Sequence, residues 1–146
     1  MRTFEHNIDI AASTADVWAL TIDVESWPSL FPTVTAVERL DGGPIKVGSR
    51  ARIKQPGQPA RVWTVTEVAA EQRFVWTARA AGFTMTGVHT MTPTADGGTT
   101  NKLTLELDGP LAGLIAALAG RKLRQTLATE NDGFRRAVQP ARTHSP

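Results

Sequence analysis

The chain has 146 residues, 41% hydrophobic and 21% charged, with 16 Lys+Arg against 14 Asp+Glu and no cysteine. That composition suits one globular domain, apolar enough to bury a core and too apolar for disorder. The missing cysteines exclude a disulfide scaffold, a thiolate zinc site and a cysteine nucleophile together.

In chain order, residues 3–10 alternate: Phe4, His6, Ile8 and Ile10 take one side and Thr3, Glu5, Asn7 and Asp9 the other, the pattern of a strand with one wet face. This opening has no apolar h-region, so no signal peptide is expected. Ser13 then reads as an N-cap with Asp16 at the third helical position, and Val17, Leu20, Thr21 and Val24 recur at helical spacing. That helix must stop before Pro28, because the residue preceding a proline is pushed out of the α region. "WPSLFP" at 27–32 reads as an irregular connection that carries a Trp and a Phe, side chains that need something to pack on or to line.

Strand-like segments follow at 33–40, 48–55, 61–68, 73–79, 83–92 and 99–107, joined by turn-rich links such as "DGGP", "PGQP" and "DGG". Short links predict antiparallel hairpins in a meander. A loop over Ala69–Gln72 sets Trp76 opposite Val65, Phe74 opposite Glu67 and Ala78 opposite Trp63. Trp63, Val65, Phe74 and Trp76 then share a face, with Glu67 among them. Phe83, Met85, His89 and Met91 share a parity, as do Leu103, Leu105 and Leu107; a one-residue slip at the "DGG" turn would separate the two sets.

From about 111 to 138 the pattern is helical. Leu111, Leu114, Ile115 and Leu118 form one stripe, and Leu123, Leu127, Phe134 and Val138 form another, rotated from the first at Gly120, a place to bend or break. Arg121, Lys122 and Arg124, with Arg135 and Arg136, read as a solvated face rather than a nucleic-acid or anionic-membrane surface, since no aromatics are interleaved for stacking. The apolar run 111–120 is too short to span a bilayer. A single domain over 1–140 with a frayed tail at 141–146, located in the cytoplasm, is the expectation. A sheet with one apolar face needs a cover, and the terminal helix is the only element large enough.

This order, with "ADVWAL" at 15–20, "WPSLFPTV" at 27–34, Gly48-Ser49-Arg50 at a strand start and "TENDGFRRAV" at 129–138, resembles the polyketide cyclase/dehydrase and lipid-transport superfamily (SRPBCC). The likeness spans about residues 3–138. It implies the α+β helix-grip fold shared with START domains and the birch-pollen allergen family. In that fold a strongly curved antiparallel sheet of six or seven strands wraps the long C-terminal helix, two short helices follow the first strand, and a deep cavity lies between sheet and helix. "WPSLFP" would then be a lid with Trp27 and Phe31 at the cavity mouth, or else both rings pack on the terminal helix.

No G-x-S-x-G elbow, P-loop or dinucleotide glycine pattern is present, and the three histidines lack metal-ligand spacing. What remains are polar residues on inward faces. Glu130 lies within the second helical stripe, with Asn131 at its edge and Gly133 nearby, while His89, His6 and Glu67 share parity with apolar neighbours. The candidate catalytic pair is His89 and Glu130. The candidate ligand contacts are Trp27, Phe31, Trp63, Trp76, Met85, Leu127 and Phe134. The leading functional expectation is a cavity for a small hydrophobic or aromatic molecule, serving transport, sequestration or sensing. Two alternatives stand beside it. One is a cyclase/dehydrase-type lyase, working without metal or nucleotide cofactor, in which His89 or Glu130 moves protons during aldol closure and dehydration. The other is a protein-interaction module using the basic helix face. No cofactor, nucleic acid or membrane span is expected, and the chain is a monomer or homodimer.

Overall fold

The computed structural model describes residues 1–139; the segment 141–146, expected to fray, lies outside the described residues. Within them lie strands β1 (Arg2–Ile10), β2 (Ala36–Arg39), β3 (Arg50–Lys54), β4 (Arg61–Ala69), β5 (Arg73–Ala80), β6 (Phe83–Pro93) and β7 (Thr99–Asp108). Helix α1 (Thr14–Ile22), a 3-10 turn (Val24–Ser26) and helix α2 (Trp27–Leu30) follow β1, and α3 (Ala112–Val138) ends the fold. The strands form one antiparallel sheet in the order β1-β7-β6-β5-β4-β3-β2. The two edges, β1 and β2, are consecutive in sequence, so the α1–α2 segment must cross between them and deliver its apolar side chains to the core.

Local sequence explains most elements. Phe4 and Ile10 are buried while Glu5, Asn7 and Asp9 are exposed, as period-2 alternation requires. Ser13 Oγ accepts the Asp16 N–H at 3.2 Å and caps α1. Residues 27–30 depart from the irregular connection read from the residues themselves. Pro28 sits in the first turn of α2, where its missing N–H would have had no helical partner anyway, and the two short helices implied by the family resemblance are present.

The hairpin β4–β5 holds a correction. Trp63 faces Ala78 and Val65 faces Trp76 as expected, but the register then shifts, so Glu67 pairs with Val75 and Val68 with Phe74. One extra residue reverses every side chain beyond it. Glu67 is therefore exposed, and Arg73 Nε bonds its carboxylate at 3.0 Å. β6 and β7 pair without a slip: Met85 faces Leu107 and His89 faces Leu103.

α3 runs unbroken for 27 residues, so Gly120 does not break it into two. Of its expected first stripe only Ile115 packs against the core, half-buried, while Leu111, Leu114 and Leu118 are 41%, 53% and 77% exposed. The reason lies in the small residues between them. Ala112 and Gly120 are buried and Ala116 is half-buried, a row spaced by four that lets the helix backbone approach β1. A Cβ on Gly120 would stand 3.3 Å from the Phe4 ring. That row continues through Leu123, Leu127, Asn131 and Phe134, giving one continuous face against the sheet. Burying Phe134 completely contributes roughly 2–3 kcal/mol.

A buried polar cluster sets the position of this face. Asn131 Nδ2 donates to the His6 carbonyl at 3.0 Å and meets His6 Nδ1 at 2.8 Å, while Asn101 Nδ2 donates to Asn131 Oδ1 at 2.8 Å. Asn101 and Asn131 are fully buried, so this cluster ties α3 to β1 and β7.

Candidate ligand cavity

Between the inner sheet face and α3 lies one partly open cavity of about 120 Å³. Each wall follows from the elements above. α2 contributes Trp27, held by a hydrogen bond from its Nε1 to the Leu20 carbonyl at 3.1 Å. β4 and β5 bring Trp63 and Trp76, whose ring centroids are 5.6 Å apart, and Trp27 stands edge-on to Trp76 at 5.2 Å. β6 adds Met85 and His89 around Gly87, where a Cβ would stand 3.2 Å from the Trp76 indole and 3.7 Å from Trp63. α3 closes the space with Leu123, Leu127 and Glu130.

Seven of the nine candidate residues meet at this cavity: Trp27, Trp63, Trp76, Met85, His89, Leu127 and Glu130. Phe31 and Phe134 do not line it. They pack on each other at 5.3 Å and on Trp27 at 5.7 and 6.0 Å, behind the cavity wall. The lid arrangement is accordingly corrected: Trp27 and Phe31 are 3% and 2% exposed and sit in the core, not at a mouth. α2 can press this close because Gly133 carries no side chain; a Cβ there would lie 2.5 Å from Phe31 Cδ1 and 2.6 Å from the Leu30 carbonyl oxygen.

Several lining residues were not singled out from sequence. Ile53, Leu103 and Leu105 carried a signal in their strand alternation, and Leu123 carried one as a member of the helical stripe. Gln55 and Gln58 carried none, since they belong to a turn whose placement depends on the hairpin β3–β4. Gln55 Nε2 donates to the Thr33 carbonyl at 3.2 Å, and Thr33 Oγ1 donates to Glu130 Oε2 at 3.1 Å. A polar relay thus runs from the turn to the Glu130 carboxyl.

The two ionisable groups lining the cavity are perturbed in opposite senses. Burial pushes Glu130 up from 4.5 to about 7, against the smaller opposing effect of the Thr33 hydroxyl. Burial pushes His89 down from 6.5 to about 4. The residue is 5% exposed, its ring packs against Trp27, Phe74 and Phe134, and its Nδ1 has no hydrogen-bond partner among the described residues. The usual order of the two side chains is reversed. Between about pH 4 and about pH 7 the glutamic acid holds its proton and the histidine lacks one, so the cavity offers a neutral donor and a neutral acceptor. His6 takes no part, being committed to Asn131. Among the described residues no three His, Asp or Glu side chains converge to hold a metal ion, and no helix is long and apolar enough to cross a membrane.

Residues 1–139 match the family model described as polyketide cyclase/dehydrase and lipid transport. A Streptomyces halstedii protein, named as a candidate polyketide cyclase, is 35% identical over 79 residues, covering 52% of this chain and 69% of that protein. Among solved structures, the Zhui aromatase/cyclase of a Streptomyces species superposes with a TM-score of 0.72 at 20% identity, covering 96% of this chain and 97% of the other. A START superfamily protein from Mycobacterium smegmatis gives 0.69 at 19% identity, covering 91% and 96%. At these identities the structural likenesses establish the helix-grip fold, and the match along nearly the whole sequence establishes more: the chain belongs to the polyketide cyclase/dehydrase and lipid-transport family.

Proposed function

We propose that the protein binds a small hydrophobic or aromatic molecule in the cavity between its sheet and α3. The observation that carries this reading is the convergence of three indoles on one partly open space of about 120 Å³. A protein cavity of about 150 Å³ lined by apolar side chains takes up benzene, so one ring is the natural occupant here. A folded poly-β-keto chain is much larger, which ranks binding ahead of catalysis. The basic face of α3 supports an interaction module only weakly, because Arg135 and Arg136 both pair with Asp132 and Arg124 lies over the Phe4 ring. Titrating the protein with benzyl alcohol should change its tryptophan emission saturably. Gly87→Val, which crowds the indoles, should remove that change while the far-ultraviolet circular dichroism stays native. A linear, non-saturating response from the wild-type protein would overturn the reading.

One observation favours a cyclase/dehydrase second reading: the reversed pair Glu130 and His89. Glu130 would give its proton to a ketone oxygen while His89 takes one from the attacking methylene carbon. The C–C bond forms; the Glu130 carboxylate then takes a further α-proton while protonated His89 gives its proton to the β-hydroxyl, which leaves as water, so both groups return to their starting states. A linear triketone should then cyclise and lose water faster with the protein than in buffer, and Glu130→Gln should remove the gain. Equal rates would eliminate catalysis and leave binding untouched.

A further inference from the structure

We infer that the cavity selects a one-ring ligand bearing a protonated amine over neutral and anionic molecules of the same shape, through the Glu130 carboxyl and the tryptophans that line the same cavity. This rests on the ligand-binding reading above and narrows it to a chemical class.

The argument begins from an inventory of charge. Among the described residues Glu130 receives one hydrogen bond, from Thr33, and no Lys or Arg lines the cavity. Arg61, opposite cavity-lining Ile53 in β4, has a buried Nε without a partner among the described residues, but it neither lines the cavity nor bonds Glu130. Other cations on the surrounding elements are directed elsewhere. Lys54, between cavity-lining Ile53 and Gln55, turns its ammonium to the carbonyls of Gln55 and Gln58. On the outer side of the sheet Arg52 pairs with Glu38, Arg73 with Glu67 and Lys102 with Glu5, while Arg79 is exposed. On α3 itself Arg135 and Arg136 pair with Asp132. The other titratable group at the cavity, His89, is held neutral by burial.

Once ionised, above about pH 7, this carboxyl has no side chain among the described residues to balance its charge. Trp27, Trp63 and Trp76 line the same cavity, and the face of an indole ring attracts cations and repels anions. A ligand ammonium would meet both demands, a charge-assisted hydrogen bond to Glu130 and a cation–π contact, while its ring fills the apolar part. A hydroxyl in the same place gains only an ordinary hydrogen bond. A ligand carboxylate meets a like charge and the negative ring faces, with no donor pair to receive it.

Calorimetric titration with benzylamine, benzyl alcohol and benzoate at about pH 8 tests this, since Glu130 is then largely ionised and the amine still protonated. Benzylamine should bind roughly tenfold more tightly than benzyl alcohol, and benzoate should show no measurable binding. Glu130→Gln should bring the amine and alcohol affinities together, to within a factor of about two, whereas Arg79→Ala on the outer face should preserve the amine's advantage. Benzyl alcohol binding as tightly as benzylamine, benzoate binding best, or an amine advantage that survives in Glu130→Gln would each overturn the inference while leaving the ligand-binding reading standing. If none of the three probes binds, both fall.

Discussion

Glu130 and His89 lie in one cavity and are driven in opposite directions by one cause. Burial penalises whichever form is charged, so the acid rises to about 7 and the base falls to about 4. Among the described residues nothing opposes this on the histidine, whose Nδ1 is unpartnered, and on the glutamate the Thr33 hydroxyl alone opposes it. Side-chain carboxyl titration by NMR should give Glu130 a midpoint near 7; a midpoint at or below the unperturbed ~4.3 would refute the assignment. In the same experiment the His89 ring should stay neutral down to about pH 5, and a midpoint near 6.5 would show that water reaches it freely.

At the scale of the element, α3 shows how glycine and alanine direct packing. Gly133 is unfavourable for a helix by about 1 kcal/mol relative to alanine. Even so, Gly133→Ala should destabilise the fold by about 1–3 kcal/mol in urea denaturation, because the new methyl would meet the Phe31 ring and the Leu30 carbonyl at impossibly short range. The Leu30 backbone cannot step aside as a flexible side chain would. Leu118→Glu makes the useful contrast. That side chain is 77% exposed, and replacing it should change stability by less than about 0.5 kcal/mol despite the loss of a large apolar group. A loss at Leu118 as large as at Gly133 would mean that the wrong face of α3 has been assigned to the core.

For the molecule as a whole, the two perturbed groups make opposing contributions to stability against pH. Glu130 has a folded value of about 7 above its ordinary 4.5, so the native state holds the extra proton and stability falls as pH rises through that window. His89 has a folded value of about 4 below its ordinary 6.5, so the unfolded state holds the extra proton and stability rises with pH from about 4 to 6.5. Each is bounded by about 3 kcal/mol, and where the windows overlap they nearly cancel. Asp41, held low by its hydrogen bonds from Arg50, and Asp96, held low by Thr94, act only at more acidic pH. The wild-type urea midpoint should therefore vary little between about pH 4.5 and 6.5. Glu130→Gln should leave the His89 slope exposed, with stability climbing across that range and exceeding wild type above pH 7. A flat profile in the variant would overturn this account of the pair.

What the sequence determined by itself was everything carried by local period and turn chemistry. The alternation of β1, the Ser13 cap and the hairpin turns specify the antiparallel meander from β2 to β7 and the first half of the β4–β5 register, while the pairing of β1 with β7 joins the two ends of the chain and is not a local signal. The inward placement of Trp63, Trp76, Met85, His89 and Glu130 followed from the same rules. Tertiary structure alone decided three things. The bulge in β4 sent Glu67 to solvent, because parity beyond an extra residue is set by the partner strand. Ala112, Ala116 and Gly120, rather than the leucines among them, became the buried face of α3, because close backbone approach rewards the absence of a side chain, which an apolar pattern does not register. Last, which aromatics bound the cavity and which fill the space behind it was decided where Gly133 let Phe31 press against α3, a steric fit among residues about a hundred positions apart in the chain.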